Sequence, residues 1–168
     1  MKTAIFASAL LLSIPLSAPA AESDLYGTWK LVSQSQKLVD TGEVRAGRGK
    51  APKGYVTFGP DGRMMGVILN EKRPKPESVA KMTDQQRIEL FNTMNAFAGT
   101  YKLEVNRLTY RFELTHNEVP ARASVREIKI EGRKLTMVNE PAPATADGKM
   151  VQTTTVWEKV QAAASTKK

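Results

Sequence analysis

Leu25-Tyr26-Gly27-Thr28-Trp29-Lys30-Leu31-Val32-Ser33 is the stretch on which the fold turns. A glycine two residues before a tryptophan opens a run of strand formers just after a polar start. A second run, Thr153–Val160, lies near the other end of the chain and carries Trp157. Two large apolar rings, one in the first run and one in the last, predict that these strands meet. Such a seam closes a sheet into a barrel and leaves no exposed edge.

Eight runs rich in Val, Thr, Tyr, Phe and Ile follow this pattern. They are Tyr26–Gln36, Gly54–Gly59, Arg63–Asn70, Gly99–Val105, Leu108–Thr115, Ser124–Glu131, Lys134–Asn139 and Met150–Val160. Pro60-Asp61-Gly62, Asn106-Arg107 and Gly132-Arg133 read as tight hairpin turns. The other connections, Lys37–Lys53, Glu71–Ala98, His116–Ala123 and Glu140–Lys149, are long. In an up-and-down meander this alternation puts every long connection at one rim and every tight turn at the other. The expected fold is therefore all-β, an eight-stranded up-and-down antiparallel barrel. Its interior has room for packed side chains or one small ligand. The long-loop rim is the expected mouth.

One short helix interrupts the strands, between the third and fourth runs. Thr83-Asp84-Gln85-Gln86 reads as a capping box. Leu90, Met94 and Phe97 follow at helical spacing, with Ile88 and Phe91 beside them, and predict a helix ending near Ala98-Gly99.

The ends read differently. Met1-Lys2, an apolar run over Thr3–Leu16 and the small residues of Ser17-Ala18-Pro19-Ala20 predict a signal peptide spanning residues 1–20, cleaved after Ala20. Residues 24–160 form the single expected domain, and 161–168 a disordered tail. Removing the leader leaves 148 of 168 residues, and losing Lys2 takes the formal charge from +8 to +7. There is no Cys, hence no disulfide, thiolate metal site or Cys nucleophile. An exported chain without disulfides suits a bacterial periplasm. That compartment argues against nucleic acid as the partner of a basic protein. The charges also alternate in sign along the runs, as in Arg126-Glu127 and Lys129, Glu131. Arg45, Arg48, Lys50, Lys53 and Lys72-Arg73-Pro74-Lys75-Pro76 concentrate cations in two rim loops. These loops would draw anionic ligands to the mouth or touch an anionic membrane surface weakly.

The ordered set of motifs resembles the bacterial lipocalin-like domain family. The motifs are Gly27-Thr28-Trp29, then Gly54-Tyr55-Val56-Thr57-Phe58-Gly59-Pro60-Asp61-Gly62-Arg63-Met64, then Ala96-Phe97-Ala98-Gly99-Thr100-Tyr101. Arg126 ahead of Ile128 and Ile130, Leu135, and Val156-Trp157-Glu158-Lys159 complete the series. The resemblance spans about residues 24–160 and implies a calycin-type barrel. Members often carry His in the fifth run, where this chain has Tyr110 and Arg111, so no role of those His residues transfers.

Period 2 places Arg126 on the inner face with Ile128 and Ile130. A buried guanidinium needs a partner: a carboxylate, a ring face, carbonyl groups, or an acidic ligand gripped by its fork. Leu108, Tyr110, Phe112 and Leu114 read as wall lining, and Tyr101 and Met65 as further lining of a ligand site. Gly27, Trp29 and Trp157 read as structural. His116 is the only histidine, and a lone His cannot make a zinc site in a chain without Cys. No metal site, cofactor motif or catalytic constellation is legible. The leading reading is a barrel that binds a small, mainly apolar or amphiphilic ligand, with room for an acidic group. The alternatives are an isomerase or cyclase acting on a lipid-like substrate, and a structural envelope protein with a filled barrel.

Overall fold

Gly27 has φ of +107°, a backbone state that side-chain-bearing residues rarely adopt. In the computed structural model, which describes residues 20–119 and 123–161, this residue turns the chain from a one-turn helix, α1 (Glu22–Leu25), into the first strand. Residues 1–19 of the expected leader (1–20) and 162–168 of the expected tail (161–168) lie outside the described residues. The strands are β1 (Gly27–Leu38), β2 (Val44–Ala46), β3 (Lys53–Phe58), β4 (Arg63–Leu69), β5 (Met94–Glu104), β6 (Arg107–Thr115), β7 (Ser124–Glu131), β8 (Lys134–Asn139), β9 (Ala142–Pro143) and β10 (Met150–Lys159). A second helix, α2 (Asp84–Asn92), precedes β5.

Eight of these strands form one antiparallel ring in the order β1-β3-β4-β5-β6-β7-β8-β10, closed by β10 on β1. The closing register runs from Trp29 opposite Lys159 to Leu38 opposite Val151. Trp29 and Trp157 thus stand on adjacent strands at the seam, with Trp157 opposite Leu31. The two short strands, not foreseen from the sequence, extend the seam at the mouth: β2 pairs with β1 and β9 with β10. The meander sorts its connections as expected, because consecutive ring strands are antiparallel neighbours throughout.

The tight-turn end is sealed. Leu25 of α1 is fully buried, and Trp29 Nε1 donates to its carbonyl at 2.7 Å. The backbone N–H of Ala20 reaches Asn106 Oδ1 at 3.1 Å, and Lys159 Nζ donates to the Asp24 carbonyl at 2.8 Å. Above this floor a continuous core includes Val56, Phe58, Met64, Leu108, Tyr110, Leu135 and Trp157.

The helix is shorter than the sequence predicts. The capping box is present: Gln86 N–H donates to Thr83 Oγ1 at 3.2 Å, and Thr83 N–H to Gln86 Oε1 at 3.0 Å. But α2 ends at Asn92 and buries none of its residues. Met94–Ala98 pair with β4, from Leu69 opposite Met94 to Met65 opposite Ala98. The whole segment pairs with β4, and from Phe97 onward also with β6, so the sheet satisfies backbone groups that a surface helical turn would leave to water.

Two bulges break the strict alternation. In β1 an extra residue falls between Leu31 and Ser33, so the interior set passes from Trp29 and Leu31 to Gln34 and Gln36. In β6 an extra residue separates Phe112, opposite Gly99, from Leu114, opposite Ala98. Gly99 permits the crossing there, since a Cβ would lie 2.0 Å from the Arg111 carbonyl oxygen. Leu114, expected on the inner wall, is consequently turned outward and 65% exposed.

Candidate functional site

A cavity of about 230 Å³ opens in the long-loop half of the barrel. Phe97, Tyr110, Phe112, Met137, Ile68 and Trp157 supply its apolar walls. Gln34, Gln36, Asn95, Asn139, Thr153 and Thr155 add polar groups, and β9 borders the opening. Arg48 and Arg126 bring in two guanidinium groups.

Arg126 lies on the inner face of β7, in register with Leu108 of β6 and Asn139 of β8. Its guanidinium carbon is 3.9 Å from the centroid of the Tyr110 ring. Its only protein hydrogen bond among the described residues is long, Nη1 to the Ser124 carbonyl at 3.5 Å. No carboxylate pairs with it among the described residues. The ring face therefore takes the place of a counter-ion, an attraction worth up to ~2 kcal/mol when desolvated. Burial lowers the pKa of the guanidinium, opposed by Tyr110, but the group stays charged at any ordinary pH.

Tyr110 is itself buried, and among the described residues its hydroxyl donates only to the soft acceptor Met137 Sδ at 3.7 Å. Burial pushes this phenol up to about 12, against the pull of Arg126. It is a neutral donor near neutral pH. Phe112 and Phe97 meet at right angles, 5.5 Å between centroids, and Phe112 meets Tyr110 edge-on at 5.9 Å.

Of the residues expected to line a ligand site, Arg126, Tyr110 and Phe112 come together here. Tyr101 does not reach the cavity. It is buried over the floor, where its hydroxyl donates to the Gly59 carbonyl at 2.7 Å and its ring meets Phe58 edge-on. Met65 is also misplaced by the sequence reading. It is 63% exposed on the outer wall, while its neighbour Met64 packs inside. Adjacent residues on a strand face opposite ways, and two successive methionines give no clue which is inside. His116 sits on the outer side, its ring 5.1 Å from that of Phe91 and tilted by 50° to it, with Nδ1 accepting from Ala96 N–H at 3.4 Å. No cluster of three potential metal ligands occurs among the described residues.

The model of the lipocalin-like domain family matches residues 26–160, well over half of the chain. The chain belongs to this family. No match is found among curated proteins.

Within this lipocalin-like barrel, donors outnumber acceptors at the charged positions. Arg48 Nη1 donates to Asn70 Oδ1 at 3.0 Å, but its buried Nε has no acceptor among the described residues. Burial also lowers the Arg48 pKa. The indole N–H of Trp157, 3% exposed, likewise lacks an acceptor. Glu140 borders the cavity but is exposed and paired with Arg107 at 2.9 Å. Arg48 stands in a loop and carries no periodic signal, and Asn95 falls within the segment whose spacing predicts a helix. Gln34 and Gln36 were out of phase because of the β1 bulge.

Two rim segments of the lipocalin-like fold are tied together. Arg45 of β2 makes a bidentate ion pair with Asp147, in the turn between β9 and β10, and a further bond to Gln36 Oε1 at 3.1 Å. The Arg45 fork holds the Asp147 carboxyl down at about 2.

Proposed function

We propose that this lipocalin-like protein binds a small amphiphilic acid in the mouth half of its barrel, with the carboxylate on Arg126. One observation carries the reading: the half-buried Arg126 guanidinium lines a cavity and has a ring face, but no carboxylate among the described residues, as its partner. A buried cation is retained at a cost unless an anion can reach it. The fork of Arg126 suits a carboxylate in bidentate geometry. The neutral Tyr110 hydroxyl is a further donor on a residue of the same walls. Phe97 and Phe112 suit the apolar body of the ligand. A cavity of about 230 Å³ holds roughly ten non-hydrogen atoms, scaling from the ~150 Å³ that takes up benzene. That size favours a short or aromatic acid over a long-chain fatty acid.

The test is a titration followed by tryptophan fluorescence, comparing hexanoate with hexan-1-ol at pH 7. The acid gives a saturable change at a concentration at least tenfold below that needed for the alcohol. Equal affinity for the alcohol, or no saturation with the acid, contradicts the reading. We further propose that the protein acts outside the cytoplasm after cleavage following Ala20. The N–H of Ala21 donates to Asp24 Oδ2 at 3.0 Å, so the new ammonium would face a carboxylate. Intact mass of the exported protein should begin at Ala21, and a mass retaining residues 1–20 would contradict this.

A further inference from the structure

Arg48 reaches the cavity from a loop rather than a strand, and three bonds fix that loop. Gly47 N–H donates to the Gln34 carbonyl of β1 at 3.0 Å, and Glu71 N–H to the Arg48 carbonyl at 2.9 Å. The Arg48 side chain is held on the same side by Asn70, which follows β4. Arg48 is thus pinned between β1 and β4, the two neighbours of β3. Arg126 is on β7. In the eight-strand ring β7 is four strands from β3 in either direction, through β4, β5 and β6 or through β1, β10 and β8. Arg48 and Arg126 therefore line one cavity from opposite sides of the ring. Neither has a carboxylate partner among the described residues, and Arg48 keeps one buried N–H without any acceptor.

From this placement we infer that the ligand is anionic at both ends, with the short dicarboxylate as its simplest form. A single carboxylate brings one negative charge to two guanidinium groups. It would leave a net positive charge among the cavity's mixed polar and apolar walls, which is unfavourable at low dielectric. A dianion neutralises both, and its methylene or aromatic middle lies against Phe97, Phe112 and Trp157. Arg48, nearer the mouth loops, then acts as the residue that selects for the second charge. Desolvation lowers its pKa, and the charge of an anion bound beside it would oppose that lowering. This inference rests on the proposal that Arg126 receives a carboxylate.

Calorimetric titration with hexanoate and with hexanedioate at pH 7 tests it on the full-length mature protein. The wild type should bind hexanedioate at least tenfold tighter than hexanoate. Arg48→Gln should bring the two acids within threefold of one another, chiefly by weakening hexanedioate. Arg48→Lys, which keeps the charge in the same loop, should retain a preference between those limits and serves if the glutamine variant does not fold. A wild type that does not prefer hexanedioate, or a tenfold preference that survives Arg48→Gln, overturns the two-ended ligand and leaves the Arg126 reading standing. A wild type that binds neither acid overturns the Arg126 reading and this inference together.

Discussion

Trp29 Nε1 donates to the Leu25 carbonyl oxygen at 2.7 Å, joining the last residue of α1 to the first strand across Gly27. This bond gives the Gly-x-Trp pattern a physical meaning. Gly27 supplies the φ of +107° that folds α1 under the barrel, and Trp29 ties it there. Replacing Gly27 with Ala meets no steric obstacle, since the nearest atom to an added Cβ is Lys159 Cε at 3.8 Å. The cost is backbone strain alone, about 1–3 kcal/mol. Urea unfolding of Gly27→Ala checks this, and a loss below about 0.5 kcal/mol would mean the floor does not depend on that turn.

The seam is tested at Trp157. The ring is 3% exposed and faces Leu31 across the β1–β10 ladder. Trp157→Ala should destabilise the protein by ~3–5 kcal/mol, as other large-to-small core changes do. A loss below about 1 kcal/mol in thermal unfolding would place the ring outside the packed seam.

The rim ion pair predicts a pH signature. Asp147 has its folded pKa depressed to about 2 by Arg45, so its contribution to stability is present above the unfolded value of about 3.9 and is lost as pH falls through about 2. The difference in melting temperature between wild type and Asp147→Asn should be constant from pH 5 to 7 and shrink toward zero near pH 2. A difference independent of pH down to 2 would rule out the carboxylate as its source.

Much of this barrel is legible in its sequence because the strand runs and turns are regular. Pro60-Asp61-Gly62 and Gly132-Arg133 mark tight turns, and the single-step alternation around Arg126 sets its inward phase. What escapes the sequence is the set of places where the period fails. The β1 bulge brings in Gln34 and Gln36, and the β6 bulge turns Leu114 out. Phe97 satisfies a helical spacing with Leu90 and Met94, yet sheet pairing on both edges claims it for β5. Arg48 belongs to an irregular loop, so only the backbone bonds of Gly47 and Glu71 reveal where it points.

Titration of hexanoate into Arg126→Met at pH 7 tests the account most directly. The substitution keeps a long side chain against Tyr110 but removes the charge. It should weaken binding by at least tenfold, in line with the ~1.5–3 kcal/mol of a charged hydrogen bond. The unliganded variant should stay within about 1 kcal/mol of the wild type in stability, because the lost ring attraction is offset by relief from burying a cation. Unchanged hexanoate affinity, with stability lowered by ~3 kcal/mol or more, would contradict the account and make Arg126 a purely structural residue.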